Sequence, residues 1–346
     1  MRIAVSGSIA TDHLMTFPGR FADQLVGDQL HNISLSFLVD GLEVRRGGVA
    51  ANICFGMGQL GASPVLVGAA GADFVEYRDW LDRHGVDTLS VRISETLHTA
   101  RFVCTTDADH NQLGSFYTGA MSEARQIELK SVGDRVGGLD LVHIGADDPE
   151  AMARHTEECR TRGIPFAADY SQQLARMGGE EIRALTDGAT YLFSNEYEKA
   201  LIETKTGWDA EEVLRRVGTR VTTLGPKGAV IERAGEEPIH VDCPEEERKA
   251  DPTGVGDAFR AGFLSGLVWG ASLERSAQVG CMLATLVIET VGTQEYTLSR
   301  GLFLERLTKA YGQEAADEVR GQEYLGEEPL AGAGPAGSAY RVRRSR

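Results

Sequence analysis

The sequence predicts an α/β protein: a three-layer α/β/α core with a mainly parallel sheet, and a small β-sheet standing outside it as a lid. Three observations carry this. Short β-branched runs alternate with helix-period segments along most of the 346 residues, and that alternation implies parallel strands covered by helices on both faces. Several helical segments close on glycine (Gly61, Gly85, Gly163, Gly218), which tolerates the left-handed C-terminal cap. Two regions, about 12–46 and 93–119, interrupt the alternation with extended runs around polar turns.

Taken in order, strands are expected at Ile3–Ser6, Val65–Gly68, Leu141–Ile144, Phe166–Asp169, Tyr191–Ser194 and Val221–Leu224, with helices at Val49–Leu60, Asp73–His84, Ala151–Arg162, Asp209–Val217 and Leu273–Glu289. In the first excursion, Ser34–Val39 and Leu42–Arg45 flank Asp40-Gly41, a hairpin signal. In the second, Thr99–Thr106 and Gln112–Tyr117 flank the polar turn Asp107–Asn111. A hairpin centred on Asp109 sets Phe102 opposite Phe116 on one face. Residues 1–322 then form one domain, and 323–346, rich in Gly, Ala and Arg, have nothing to bury and read as a disordered tail.

Composition narrows the function. Hydrophobic residues make up 42% and charged ones 25%, enough for a large core. Thirty-five basic against 51 acidic residues give a formal net charge of −16, which repels phosphate backbones and argues against nucleic acid. A nucleotide would need a local anion site built from backbone NH groups or Mg²⁺. The five cysteines are scattered and never at CxxC spacing, so neither a disulfide framework nor a thiolate metal site follows. No apolar run reaches about 20 residues, and Met1–Val5 enters directly into a strand. The expectation is a cytoplasmic protein that does not engage membranes.

The chemistry centres on Asp251-Pro252-Thr253-Gly254-Val255-Gly256-Asp257, followed by the apolar helical run from Ala258. The glycines let backbone NH groups converge at a helix N-terminus, where developing phosphoryl charge is stabilised. Asp257 there can accept a proton from an attacking hydroxyl, although an Asp in a first helical turn is also favourable with the dipole alone. Gly47-Gly48 with Asn52 opens another helix, as a ligand-facing turn or a plain lid-to-helix connection. Asn195 and Glu198 follow a strand, where they can hold Mg²⁺ through water or simply start a helix. Thr223, Gly225 and Gly228 form a strand-end turn that can line a nucleotide.

Together, in this order, Gly47-Gly48…Asn52, Asn195…Glu198, Thr223…Gly228 and Asp251…Asp257 resemble the ribokinase (PfkB) family of carbohydrate and nucleoside kinases. Val255 departs from it, standing where a smaller residue is usual. The likeness is greatest to bacterial ribokinase-like adenosine kinases, across about residues 1–312, through Gly7–Leu14, Ser34–Val39, His98–Phe102, Ser171–Arg176 and Gly292–Glu295. The resemblance implies an adenosine kinase of purine salvage. ATP is then the donor, with Asn195, Thr223, Gly225, Gly228 and Gly256 beside it, and Mg²⁺ is the cofactor. Asp251 and Thr253, with Gly292-Thr293, offer a place for a monovalent cation such as K⁺. It implies that Asp12 holds the ribose hydroxyls with Gly48 and Asn52, and that Ser8, Ser36 and Arg176 line the nucleoside site. Phe102 and Phe116 flank the base, Gln172 and Gln173 contact it, and Asp257 is the base, beside an anion hole at Gly254, Val255 and Gly256. The competing readings are a kinase for another nucleoside or for ribose, and a nucleoside sensor without turnover. Exposed lid edges invite a homodimer.

Overall fold

Strands buried on both faces read as unbroken apolar runs, and the computed structural model, which describes residues 1–24 and 36–320, places these runs at its centre. β1 (Ile3–Ser6) pairs in parallel with β4 (Val65–Ala70) and β8 (Leu141–Ile144), and every residue of the three is buried. The remaining strands of this sheet are β5 (Val91–Ile93), β9 (Phe166–Ala168), β10 (Tyr191–Asn195), β11 (Thr219–Thr223), β12 (Ala229–Glu232) and β13 (Ile239–Val241). The order is β13-β12-β11-β10-β9-β8-β1-β4-β5, and only β12 runs against the rest, pairing antiparallel with β11 and with β13. Side chains alternate between two cores. Ile3, Val5 and Leu66 face helices Val49–Gln59, Val255–Val268 and Leu273–Ile288, while Ala4, Val65 and Val142 face helices Leu129–Val136, Pro149–Arg162 and Gly179–Thr186. The three layers follow from this period-two alternation.

The second sheet holds β2 (Ala10–Thr16), β3 (Gly41–Gly47), β6 (Ala100–Thr106) and β7 (Gln112–Tyr117) in the order β3-β2-β6-β7. The β6–β7 hairpin turns at Asp107–Asn111, with Phe102 opposite Phe116. The turn is held by Asp107, whose carboxylate accepts from the amides of Phe21, Asp109 and Asn111. The expected hairpin at Asp40-Gly41 differs. Ser36–Val39 are not in a strand, β3 pairs instead with β2, and Ser34-Leu35 lie outside the described residues, as does the tail. β2 escapes notice in the sequence because its residues, Ala10-Thr11-Asp12-His13-Leu14-Met15-Thr16, are half-polar and half-buried. It also joins β6 in parallel, across about 90 residues of chain. Helix boundaries shift by a turn at most. Pro149 opens its helix at the first position, with Asp148 accepting from the amides of Glu150 and Ala151.

One buried ion pair joins sheet to helix beneath the carboxyl edge. Asp169, directly after β9, takes two hydrogen bonds from Arg260 of helix Val255–Val268, through Nε to Oδ2 and through Nη2 to Oδ1 at 2.9 Å. Both residues are buried, and His143 Nε2 stands 3.3 Å from Asp169 Oδ2. Arg260 Nη1 also donates to the Gly256 carbonyl at 3.2 Å, so the guanidinium is tied into the first turn of its own helix. Burial alone would raise the Asp169 carboxyl, but the charge and hydrogen bonds of Arg260, together with His143, outweigh it and hold Asp169 far below the usual carboxylate range. Removing one partner leaves a buried charge uncompensated. Arg260→Met should therefore cost about 3–5 kcal/mol of unfolding free energy, and Arg260→Met with Asp169→Leu should recover much of that loss. Urea unfolding of the three proteins measures both. An unchanged midpoint in the single variant would contradict the pair's structural role.

Candidate active site

The helix Val255–Val268 begins at Gly254, whose φ of +79° turns the chain into the first turn. Its early NH groups have no carbonyl of their own helix to bond. Val255 N, for example, makes only a long hydrogen bond, 3.5 Å, to the Pro252 carbonyl before the helix. Asp257 lies in that first turn, and Asn52 Nδ2 donates to its Oδ2 at 2.8 Å. Asn52 is itself fixed: Gln294 Nε2 donates to Asn52 Oδ1 at 2.9 Å and also approaches the Tyr77 hydroxyl at 2.6 Å, while that hydroxyl donates to the Gly47 carbonyl at 2.9 Å. An ionised carboxylate only accepts, so this chain sets which end of the Asn52 amide faces Asp257.

The lid supplies a second row. Arg45 of β3, Asp12 of β2, Phe102 of β6 and Phe116 of β7 are successive cross-strand partners, and cross-strand partners share a face. A carboxylate and two aromatic rings thus stand in line, with Phe102 partly buried and Phe116 48% exposed. Asp12 lies over Gly47, where an added Cβ would stand 3.1 Å from its Oδ2. Burial pushes the Asp12 carboxyl up to about 6, against the pull of Arg45. At the far end of the row, Arg45 reaches Asp251 Oδ2 at 3.3 Å.

Third comes the carboxyl edge of the sheet. Asn195 and Thr223 are partners at the ends of β10 and β11, with Gly225–Lys227 turning just beyond. Ser171–Ala175 forms a tight turn after β9, in which Gln173 Nε2 donates to the Asp147 carbonyl at 2.7 Å. Gln172 and Arg176 are exposed on the same turn, and Ser36 is exposed beyond the lid.

Residues 12–299 match the family described as pfkB family carbohydrate kinase. The chain belongs to that family. It is 31% identical to a nucleoside kinase of Methanothermobacter thermautotrophicus over 272 residues, covering 78% of this chain and 86% of the relative. Among solved structures it resembles a Burkholderia thailandensis nucleoside kinase in complex with inosine, with a TM-score of 0.78, 33% identity, and coverage of 90% of this chain and 99% of that one. The Methanocaldococcus jannaschii nucleoside kinase superposes with a TM-score of 0.76 at 26% identity, covering 89% of this chain and 99% of that one. The architecture is accordingly ribokinase-like, and this pfkB-family kinase is an ATP-dependent phosphotransferase that acts on a hydroxyl acceptor.

Several residues of the kinase do structural work that their motifs did not reveal. Gly48 needs its φ of +96° because an added Cβ would stand 2.5 Å from the Ser8 carbonyl oxygen and 2.7 Å from Ala10 N. The close approach is to the chain entering the lid, as the lid-to-helix connection open in the sequence would have it. Ser8 Oγ accepts from Val49 N at 3.0 Å, capping the helix that carries Asn52. Asn195 and Glu198 form a reciprocal capping box, with Glu198 N donating to Asn195 Oδ1 at 2.8 Å and Asn195 N to Glu198 Oε2 at 2.9 Å. The Asp251 carboxylate accepts from Thr253 N, Gly292 N and Arg45, so it is satisfied and neutralised by protein groups where a monovalent cation was expected. Thr253 is exposed. No cluster of three or more His, Cys, Asp or Glu suited to a metal occurs among the described residues, and no helix among them is long and apolar enough to cross a membrane.

The sequence reading missed the residues that orient the others: Tyr77 and Gln294 behind Asn52, Arg260 and Asp169 beneath Asp257, and Asp147. The last sits beyond the end of β8, where open α/β sheets bind ligands, and that position was the available signal. Asp147 Oδ2 is buried with no partner, and burial pushes the carboxyl up to about 8.

Burial likewise pushes Asp257 up to about 7, while the Asn52 hydrogen bond and the Arg260 charge pull it down. A base works only when deprotonated, so if Asp257 serves as the base, kcat/KM should rise with pH through about 7 and level off above it. Asn52→Ala removes a donor that favours the carboxylate, which should move this acid limb to higher pH. A kcat/KM profile of both proteins from pH 5 to 9 checks the direction. A limb unmoved by Asn52→Ala would mean that another group controls it.

Proposed function

We propose that this chain is a nucleoside kinase that transfers the ATP γ-phosphate to the 5′-hydroxyl of adenosine, giving AMP and ADP. The observation that carries the reading is the lid row. Asp12 can accept from both vicinal ribose hydroxyls, and Phe102 and Phe116 on the same face can stack a base that a free sugar lacks. The nucleoside-kinase relatives support the acceptor class. Gln173 supports adenosine within it. Its Nε2 is already given to the Asp147 carbonyl, leaving Oε1 to accept from an exocyclic amine, which adenine has and hypoxanthine does not. The inosine complex of the Burkholderia enzyme makes inosine the alternative acceptor.

In this mechanism Asp257 removes the 5′-hydroxyl proton, and the NH groups of Val255, Gly256 and Asp257, at the positive end of their helix, stabilise the transferring phosphoryl group. Gly254 sets the turn that aims them. Thr223, Gly225 and Gly228 line the donor beside Asn195. Mg²⁺ arriving with ATP would be held through its waters by Asn195 and Glu198 and would supply charge neutralisation for the phosphates. Glu198 fits its water shell, because the capping box uses Oε2 and leaves Oε1, on a carboxyl that burial raises. Positioning and electrostatics supply most of the acceleration.

ATP-dependent phosphorylation of adenosine, inosine and ribose tests the reading. Adenosine should be preferred over inosine, with ribose far behind, and Gln173→Ala should narrow the first gap. Phe102→Ala should raise the nucleoside KM about tenfold, the scale of one lost base–aromatic stack. Asp257→Asn should lower kcat by roughly 10²–10⁴-fold while adenosine still binds. Preference for ribose would overturn the lid argument, and loss of binding in Asp257→Asn would overturn that residue's role.

We also propose that the lid pairs two copies of the chain. Its other face exposes Leu42 (54%), Val44 (55%) and Leu113 (52%), an apolar group that association would cover. Light scattering should show a dimer that Val44→Asp converts to monomer. A monomeric parent protein would exclude it.

A further inference from the structure

We propose that Cys243 and Cys281 are an oxidisable thiol pair, which a peroxide converts to an intramolecular disulfide that is felt at the ATP loop. The pairing stands on its own geometry; the link to ATP rests on the donor-site reading above.

Cys243 follows β13 and is partly exposed, whereas Cys281 lies in helix Leu273–Ile288 and is 2% exposed. The two side chains meet in one apolar cluster. The chain on either side of Cys243 is clamped over Cys281. The Tyr311 hydroxyl donates to the Asp242 carbonyl at 2.6 Å. The Thr285 hydroxyl lies 3.2 Å from the Pro244 carbonyl oxygen, 2.8 Å from the Cys281 carbonyl oxygen and 3.4 Å from Cys243 Sγ. Thr285 stands one turn on from Cys281 in the same helix, so its contact with Sγ puts Cys243 against the face that carries Cys281; beside Cys281 the Cys243 thiol is lowered to about 7, while Cys281 is raised. A partly exposed thiol with thiolate character beside a buried neutral one is the arrangement of an attacking and a resolving cysteine. The other three cysteines, Cys54, Cys104 and Cys159, are buried.

The chemistry balances with one peroxide. The Cys243 thiolate attacks a peroxide oxygen, the O–O bond breaks, and hydroxide leaves and takes up a proton as water, giving a sulfenic acid. The Cys281 sulfur then displaces the sulfenic hydroxyl, which leaves as a second water with the thiol proton, and the S–S bond forms. Two electrons pass from the thiols to hydrogen peroxide. Bonded sulfurs sit about 2.05 Å apart, much closer than thiols in contact, so residues 242–244 must move towards the helix. The Gly225–Gly228 turn rests on this segment: an added Cβ at Gly228 would stand 1.9 Å from the Val241 carbonyl oxygen and 2.8 Å from Cys243 N. A floor that moves takes the turn with it.

The test treats the full-length protein with hydrogen peroxide, blocks free thiols, digests without reductant and maps the peptides by mass spectrometry. The expected result is a Cys243–Cys281 linked peptide that dithiothreitol dissolves, absent in Cys281→Ser and in Cys281→Ala, the second guarding against misfolding of the first. Oxidation should raise the KM for ATP about threefold or more, leaving the nucleoside KM within about 1.5-fold, and neither Cys281 variant should show that rise. Cys243 reaching its sulfinic acid without a link to Cys281, or links through other cysteines, would overturn the pair. A link with unchanged KM for ATP would overturn its effect on the loop. Were no nucleoside phosphorylated at all, the peptide map would still decide the pairing, so the two readings fail separately.

Discussion

The Asp169–Arg260 ion pair is the constraint on which the site depends. Asp169 stands at the carboxyl end of β9 and Arg260 one turn into the helix that carries Asp257. A helix packed only by apolar side chains can slide along its axis at small cost, because burial is indifferent to direction. Two directional hydrogen bonds to a carboxylate remove that freedom. A third, from Arg260 Nη1 to the Gly256 carbonyl, ties the guanidinium into the first turn of the helix. The pair's burial makes it costly, so its value to the protein is registration of the helix's first turn more than raw stability.

The base proposed at this turn has to be neither too acidic to accept a proton nor too basic to be ionised. Burial raises Asp257; Asn52 and Arg260 pull it back. The balance leaves it near neutrality, and the pull from Asn52 depends on a chain of oriented amides and a hydroxyl running through Gln294 and Tyr77 to Gly47. These groups come from four distant segments. Each is satisfied chiefly by the next, so disturbing one is felt at the carboxylate.

This explains what the sequence could reveal. β1 and β8 fall on the expected residues because a fully buried parallel strand writes itself as an apolar run. Phe102 meets Phe116 because a hairpin's register follows from its turn. β2 and its parallel pairing with β6 were illegible, since nothing local marks a half-polar strand whose partner is about 90 residues away. Site residues inside short motifs were found, whereas Asp169 with Arg260, 91 positions apart, and Asn52 with Gln294, 242 apart, have no sequence signature. Where motif and structure differ, one residue often serves two ends. Asn195 and Glu198 cap a helix with two of their atoms, and that bond holds the remaining carboxylate oxygen at the sheet edge where a metal–nucleotide complex would arrive. Helix start and ligand contact are then the same device.

Arg45 links the lid to the turn that precedes helix Val255–Val268. Glu43 grips its guanidinium from within the lid strand, and the remaining Nη1 reaches Asp251. Asp251 in turn accepts from Thr253 N and Gly292 N, the residues flanking the turn into Gly254. Asp12 is Arg45's cross-strand partner. A ligand drawing on the Asp12 carboxylate therefore alters the field at Arg45, and through it the charge balance at Asp251. The partly buried contact between Arg45 and Asp251 is screened less than an exposed pair would be. Arg45 thus ties the lid to the turn into Gly254, beside the Thr293 hydroxyl, which donates to the Arg46 carbonyl at 2.9 Å, so a shift of this lid strand disturbs the bonds that shape that turn.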